Sequence, residues 1–298
     1  MNMAIIYAIK KVVAALVTVF MVLITGFSDT QVTDPKKEDV LLNFNVLSDC
    51  HIESNNYTTY DIFTTILENI KNDGEDDATV FLGDNTMNGQ NIEHLVFFGA
   101  LNKAKLGGQV MVAPGNHDFS NCEGDYNVYS KRFMGYSNAF MDYKISTPYF
   151  YRVVDGYYFI VVSSEDTTWE YLAMSEEQFE WLDGVLKEAG KSGKPIFVFS
   201  HYPVEDVKGD NDRLSEMLND YDNLLYFYGH THFWLDEETA HTYNGVNCIN
   251  VPKTTEPTDY DAGIGAYVEV YEDEIVVKMR DFHDNIDMEG FEYRYEVK

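Results

Sequence analysis

The stretch LLYFYGHTH, residues 224–232, joins an apolar run to two histidines through a glycine. Polar residues also follow four earlier apolar runs, at residues 41–48, 79–82, 109–113 and 196–200. Short apolar runs of this length are typical of buried strands in a parallel sheet. In such a sheet the carboxyl ends of the strands form the ligand-binding edge. We therefore expect side chains spread along most of the chain to converge on one site.

Helix-like segments alternate with these runs, which predicts an α/β fold. They are residues 61–69, 92–106, 175–189 and 213–218, and residues 157–163 form a further strand-like run. Ser175 and Gln178 predict a capping box at the start of one helix. After Ala240 the pattern contains strands only, and residues 267–271 and 275–279 predict a hairpin.

The residues at the predicted strand ends comprise two carboxylates, four imidazoles and one amide. One ion does not need seven ligands, whereas two adjacent divalent ions do, and Mn, Fe, Zn and Co all accept this mixture. The i, i+2 spacing in an extended chain predicts that Asp49 and His51 point the same way, as do His230 and His232. Asp84 is the natural bridging carboxylate. The full set is Asp49, His51, Asp84, Asn116, His201, His230 and His232.

Overall charge restricts the partners of this protein. Asp and Glu number 50 against 21 Lys and Arg, a formal net charge of −29. Such a surface repels phosphate backbones and anionic lipids, so no nucleic-acid partner is expected. Two ions, two carboxylates and one hydroxide would still leave a charge of about +1 facing a small phosphate ester. Cys50 and Cys248 lie in apolar runs and are interpreted as core residues.

The N-terminal segment, residues 1–28, resembles a signal peptide or an N-terminal membrane anchor. Lys10 and Lys11 precede an apolar run at residues 12–27, and Gly26 and Ser28 suit cleavage after Ser28. Both alternatives predict an extracytoplasmic protein, secreted or anchored at the cell surface. A buried core helix is the third alternative. Residues 29–40 are predicted to be a linker, and residues 41–298 the catalytic domain.

The motifs DCH at Asp49, GDN at Gly83, GNHD at Gly115, SH at Ser200 and GHTH at Gly229 occur in this order. Together they resemble the calcineurin-like metallophosphoesterase superfamily over residues 41–282. The resemblance implies a four-layer αββα sandwich of two mixed sheets with a dinuclear metal centre. It also implies one metal on Asp49, His51 and His232, the other on Asn116, His201 and His230, Asp84 bridging, and His117 as a catalytic histidine outside the ligand set.

Differences within the motifs narrow the subgroup. Protein Ser/Thr phosphatases carry arginines in the second motif and before GNH, where this chain has GDNTMNG and Pro114. Purple acid phosphatases use a metal-binding tyrosine where this chain has Met87, and they replace the histidine found here as His51. The chain is more similar to a bacterial branch that includes cyclic-nucleotide phosphodiesterases and exported phosphoesterases.

The expected reaction is metal-dependent hydrolysis of a phosphate ester, monoester or diester. A hydroxide bridging the two ions would attack phosphorus, and His117 would protonate the leaving oxygen. Asp118 either orients His117 or caps the backbone. The aromatic stretch 126–151 either forms a substrate wall or packs internally. A non-catalytic, metal-stabilised binding module is the alternative function, and a nuclease is disfavoured by the negative charge.

Overall fold

The computed structural model describes residues 40–74, 76–119, 124–167, 170–209, 211–255 and 263–298. The predicted signal or anchor segment lies outside these residues, as does nearly all of the predicted linker, and both stay predictions. Within the described part of the chain, no helix is both long enough and apolar enough to cross a bilayer.

The described residues form twelve strands and five α-helices, with a 3₁₀ turn at His117–Phe119 between β3 and α3. The strands are β1 Leu42–Leu47, β2 Ala78–Phe81, β3 Gln109–Val112, β4 Phe150–Val154, β5 Tyr157–Val161, β6 Ile196–Phe199, β7 Leu224–Tyr228, β8 Ala240–Tyr243, β9 Val246–Asn250, β10 Ile264–Val270, β11 Glu274–Asp281 and β12 Ile286–Glu296. The helices are α1 Tyr57–Asp73, α2 Asn91–Ala104, α3 Tyr126–Phe140, α4 Glu176–Gly190 and α5 Asn211–Asn219.

The strands form two mixed sheets of six strands each. The first has the order β12-β11-β10-β1-β2-β3, with β1, β2 and β3 parallel and β10, β11 and β12 antiparallel. The second has the order β4-β5-β6-β7-β9-β8, with β5, β6, β7 and β9 parallel and antiparallel strands at both edges. The predicted α/β architecture with two mixed sheets is confirmed.

The two sheets pack face to face, with helices on their outer faces. The ring of Phe44 in β1 lies 4.8 Å from those of Phe159 and Phe197 in the second sheet. Alternate residues such as Val198 point outward, into a cluster that includes α4 residues. On the other side, Phe81 of β2 packs against helix α1 and helix α2. Burial on both faces explains why these strands read as nearly continuous apolar runs.

Several elements differ from the sequence-based expectations. The stretch 126–151 contains helix α3 and the start of β4, and its Tyr129 and Phe133 are fully buried, which favours internal packing for these two residues. Only one of the two hydrogen bonds of the predicted capping box is present. Ser175 Oγ accepts from the Gln178 backbone N–H at 3.2 Å, but the Gln178 side chain bonds to Ser163 instead. The predicted C-terminal hairpin is confirmed as β10 and β11, and β12 extends that sheet unexpectedly.

Candidate metal centre

The backbone at the strand ends adopts an unusual conformation. Five of the seven predicted ligand residues have positive φ angles, namely Asp49 (54°), His51 (44°), Asp84 (49°), His230 (69°) and His232 (54°). This left-handed region is uncommon for residues other than glycine and concentrates at functional sites. The assumption of an extended chain was therefore wrong. Asp49 and His51 still point to the same place, as predicted, whereas His230 and His232 do not.

Four ligand atoms form a first cluster. His51 Nε2 lies 3.2 Å from His232 Nε2 and 3.6 Å from Asp49 Oδ1, and His232 Nε2 lies 3.0 Å from Asp49 Oδ1. Asp84 completes the group, with Oδ2 at 3.6 Å from His51 Nε2. The four ligand atoms all lie within 4.8 Å of one another. Asp49, His51 and Asp84 are buried, and His232 is partly exposed.

A second cluster surrounds His201. Its Nε2 atom lies 3.0 Å from Asn116 Oδ1 and 3.2 Å from His230 Nδ1. The same atom lies 3.3 Å from Asp84 Oδ2. Asp84 Oδ2 is thus shared by the two clusters, in the position that a bridging carboxylate oxygen would take. All seven predicted ligand residues come together at one end of the sandwich, where β1, β2 and β3 of the first sheet and β6 and β7 of the second sheet end.

The second oxygen of each carboxylate is held by the backbone. Asp84 Oδ1 accepts from the His117 N–H at 2.7 Å, and Asp49 Oδ2 accepts from the His230 N–H at 3.1 Å. Each carboxylate therefore presents one oxygen to the clusters. Gly115 packs so closely on Asp84 that a Cβ there would overlap the Asp84 carboxylate. This close approach explains the glycine of the GNHD motif.

The donor set fits bound divalent cations. Ligand atoms about 2.1 Å from one ion lie about 3 to 3.5 Å apart. The separations given above, 3.0 to 3.6 Å, are close to that range. Imidazole nitrogens with carboxylate and amide oxygens suit borderline metals such as Mn, Fe, Zn and Co. Asp49, Asp84 and His201 are almost completely buried, and buried charges require partners of opposite sign. A cation bound between them would supply that partner.

In the metal-free protein, the buried groups compensate one another. Burial acts to raise the pKa of Asp49 and Asp84, but the imidazoles around them, His201 above all, hold the pKa of both below its ordinary value. Burial lowers the pKa of His201, yet the two carboxylates outweigh it and raise the pKa to about 9. Burial and the neighbouring His201 charge lower the pKa of His230 to about 4. His201 is thus protonated at neutral pH in the metal-free protein.

Metal affinity is expected to rise with pH. Because the pKa of metal-free His201 is about 9, metal binding below that pH must displace its proton. Release of one proton makes binding about tenfold tighter per pH unit. Titration of metal-free protein against a chelator of known affinity, at about pH 6, 7 and 8, measures this slope. An affinity that stays constant across this range would contradict a protonated His201.

His117 lies beside the clusters. Its ring centroid is 4.6 Å from that of His51, and its Nδ1 atom is 2.7 Å from the carbonyl oxygen of Met87. A carbonyl oxygen only accepts, so Nδ1 carries a proton and donates it to this bond. Nε2 is the ring nitrogen that takes no part in this bond. Nothing in the sequence indicated that Met87 is the hydrogen-bond partner of His117, because every residue type has a backbone carbonyl.

The Asp118 carboxylate accepts hydrogen bonds from five donors. They are the backbone N–H groups of Asn85, Thr86 and Gly115, the Asn85 side-chain amide and the Thr86 hydroxyl, at 2.8 to 3.3 Å. These contacts favour the backbone-capping alternative for Asp118. The carboxylate ties the loop after β2 to the loop after β3, and thereby helps to position Met87 and His117.

Asp118→Asn is expected to destabilise the protein by about 2 kcal/mol or more. The new amide NH₂ would face backbone donors at a fully buried position, and hydrogen bonds to a charged acceptor would be lost. Urea unfolding monitored by circular dichroism measures the change. The exposed Asp142 provides a matched Asp→Asn control that should shift the free energy of unfolding by less than about 0.5 kcal/mol. Equal effects of the two substitutions would contradict the conclusion that Asp118 holds the loops after β2 and β3 together.

Comparisons with known proteins agree with this arrangement. A family model described as calcineurin-like phosphoesterase matches residues 42–233, a range that contains all seven predicted ligands. A dimetal phosphatase from Danio rerio has a similar structure, with a TM-score of 0.63 and 15% identity, over 87% of this chain and 100% of that one. A purple acid phosphatase from yellow lupin (Lupinus luteus) seeds has a TM-score of 0.60 and 13% identity, over 86% of this chain and 53% of that one.

This chain therefore spans about half the length of the lupin protein. Identities this low indicate a common fold alone and do not distinguish between subgroups. Among curated proteins, none matches the chain significantly.

Proposed function

Because the chain belongs to the calcineurin-like phosphoesterase family, we propose that it hydrolyses phosphate esters at the seven-residue site, with two divalent metal ions bound there. The observation that carries the proposal is the position of Asp84 Oδ2, which lies 3.6 Å from His51 Nε2 and 3.3 Å from His201 Nε2. An oxygen atom shared by two clusters of imidazole ligands is suited to bind two metal ions at once.

Each group of the chain has a distinct role in this proposal. When bound, the two ions supply a nucleophile at neutral pH and neutralise charge on the phosphoryl oxygens. Asp49, His51 and His232 would hold one ion, and Asn116, His201 and His230 the other. His117 would donate a proton from Nε2 to the leaving oxygen, while the Met87 carbonyl holds the ring through Nδ1.

The proposed substrate is a small phosphoester, and not a nucleic acid. The protein has a formal net charge of −29, which opposes association with a polyanion. The local charge at the site has the opposite sign once two divalent ions are bound to two carboxylates. A small anionic ester is attracted to this site, whereas a long polyanion also meets the acidic exterior.

The subgroup we propose is the bacterial branch that contains cyclic-nucleotide phosphodiesterases and exported phosphoesterases. The support is the retention of His51 and the presence of Met87, whose Sδ atom lies 3.2 Å from His51 Nδ1. Purple acid phosphatases have a metal-binding tyrosine at the position of Met87, so this residue argues against that subgroup. Pro114, in place of an arginine, separates the chain from the protein Ser/Thr phosphatases.

Metal removal tests the proposed function. We expect elemental analysis of active protein to find two divalent ions per chain, and prolonged chelation to abolish hydrolysis of a panel of phosphate mono- and diesters. Adding back Mn, Fe, Zn or Co separately should restore activity and identify the preferred metal. Circular dichroism before and after chelation controls for unfolding. Full activity without metal would contradict the proposal, and metal binding without hydrolysis of any ester would favour the binding-module alternative.

A further inference from the structure

Two exposed aromatic residues directly follow a ligand residue of the candidate metal centre in the chain. Phe233 and Trp234 directly follow His232 and are 55% and 53% exposed. The His232 side chain is itself 34% exposed, against 4% for His51 in the same cluster. The first cluster therefore opens to solvent at His232, beside the aromatic pair.

The loop that carries the pair is anchored on both sides. Before it, the Thr231 hydroxyl donates to Asn250 Oδ1 at 3.0 Å. After it, Leu235 packs against the main core, and the Asp236 N–H donates to Thr239 Oγ1 at 3.0 Å. The loop is thus held by contacts on both sides of the two rings. A fixed, solvent-exposed aromatic surface loses little conformational entropy when it binds a ligand.

A third exposed apolar side chain lies at the same site. Met87, in the loop after β2, is 37% exposed, and its Sδ atom lies 3.2 Å from Nδ1 of His51, a residue of the first cluster. Exposed apolar surface concentrated around a polar site indicates a ligand that has an apolar part.

We propose that Phe233 and Trp234 form a subsite for the organic group of the phosphoester, and that the preferred substrate carries a large apolar group, aromatic or aliphatic, next to its phosphate. This inference rests on the proposed function. The ions and their ligands would hold the phosphoryl group, and the aromatic pair at the open side would contact the attached alcohol. An aromatic ring in contact with such a pair contributes enough for about a tenfold preference.

Esters that differ only in the alcohol test the proposal. Ethanol, cyclohexylmethanol and benzyl alcohol have similar acidity, so their phosphate monoesters and methyl phosphodiesters have comparable intrinsic reactivity. We expect kcat/KM of the metal-loaded protein to be about tenfold higher for the benzyl ester than for the ethyl ester. Equal values for the benzyl and cyclohexylmethyl esters would identify aliphatic packing, and a benzyl preference would identify ring stacking.

The double substitution Phe233→Ala with Trp234→Ala should remove this preference and leave ethyl-ester hydrolysis within about twofold of the unsubstituted protein. Val153 in β4 is also an exposed apolar residue, at 42%, but it pairs with Tyr158 near the start of β5, at the opposite end of the sheet from the ligands, so Val153→Ala is a control that should keep the preference. A preference that survives in the double variant, or that is absent from the unsubstituted protein, overturns the subsite while leaving the proposed function intact. Failure to hydrolyse any ester counts against the proposed function itself.

Discussion

His117→Ala is expected to slow hydrolysis of alkyl phosphoesters by about 10²- to 10⁴-fold, the range typical of general acid catalysis. An alkoxide leaves poorly without a proton, whereas an activated aryl oxide leaves largely unaided. Hydrolysis of p-nitrophenyl esters should therefore fall much less. Because the His117 side chain is outside both clusters of ligand atoms, the metal content should stay nearly unchanged. Measuring kcat/KM for both ester classes, with elemental analysis of the same samples, checks this expectation.

A second substitution at the same position separates proton donation from packing. His117→Asn can still donate a hydrogen bond to the Met87 carbonyl but cannot serve as the general acid, so its leaving-group dependence should match that of His117→Ala. An equal proportional loss for alkyl and activated aryl esters in either variant, or a loss of metal, would show that His117 is not the proton donor.

Asp84→Ala should have the larger and less selective effect. Asp84 Oδ2 is shared by the two clusters, and Asp84 Oδ1 accepts from the His117 N–H. Its removal takes a ligand from both ions. Loss of a residue that only hydrogen-bonds to a metal ligand lowers metal affinity by up to about 100-fold, so we expect loss of this ligand to lower it by at least that factor. Activity toward every ester should fall together, whatever the leaving group. Calorimetric metal titration and the same ester pair measure both effects.

Asp84→Asn is the matched control, since the amide keeps nearly the same shape and can still accept from the His117 N–H. It should lose metal almost as severely, because a neutral amide does not bridge two cations as a carboxylate does. Circular dichroism of both variants controls for the fold. If either variant keeps two ions with ordinary affinity, Asp84 is not the bridging ligand.

Local pattern was sufficient for much of the fold. Short apolar runs predicted the buried parallel strands, because strands covered on both faces contain few polar residues. The same reasoning missed α3, whose four buried residues lie among exposed and partly exposed ones, and β12, whose eleven residues are all exposed or partly exposed. In β12, Phe291, Tyr293 and Tyr295 alternate with charged residues and pack, partly buried, against the main core, so the local pattern did contain a signal for this strand.

The sequence by itself determined which residue types follow the strands, and therefore the ligand chemistry of the site. The family resemblance also implied which ligand joins which ion, and only the tertiary structure shows what separates the two sets. His230 and His232 are two residues apart, yet His230 lies beside His201 and His232 beside Asp49. Their left-handed backbone separates them, and the hydrogen bond from the His230 N–H to Asp49 helps to hold it. That bond joins residues 181 positions apart, so no local pattern could have revealed it.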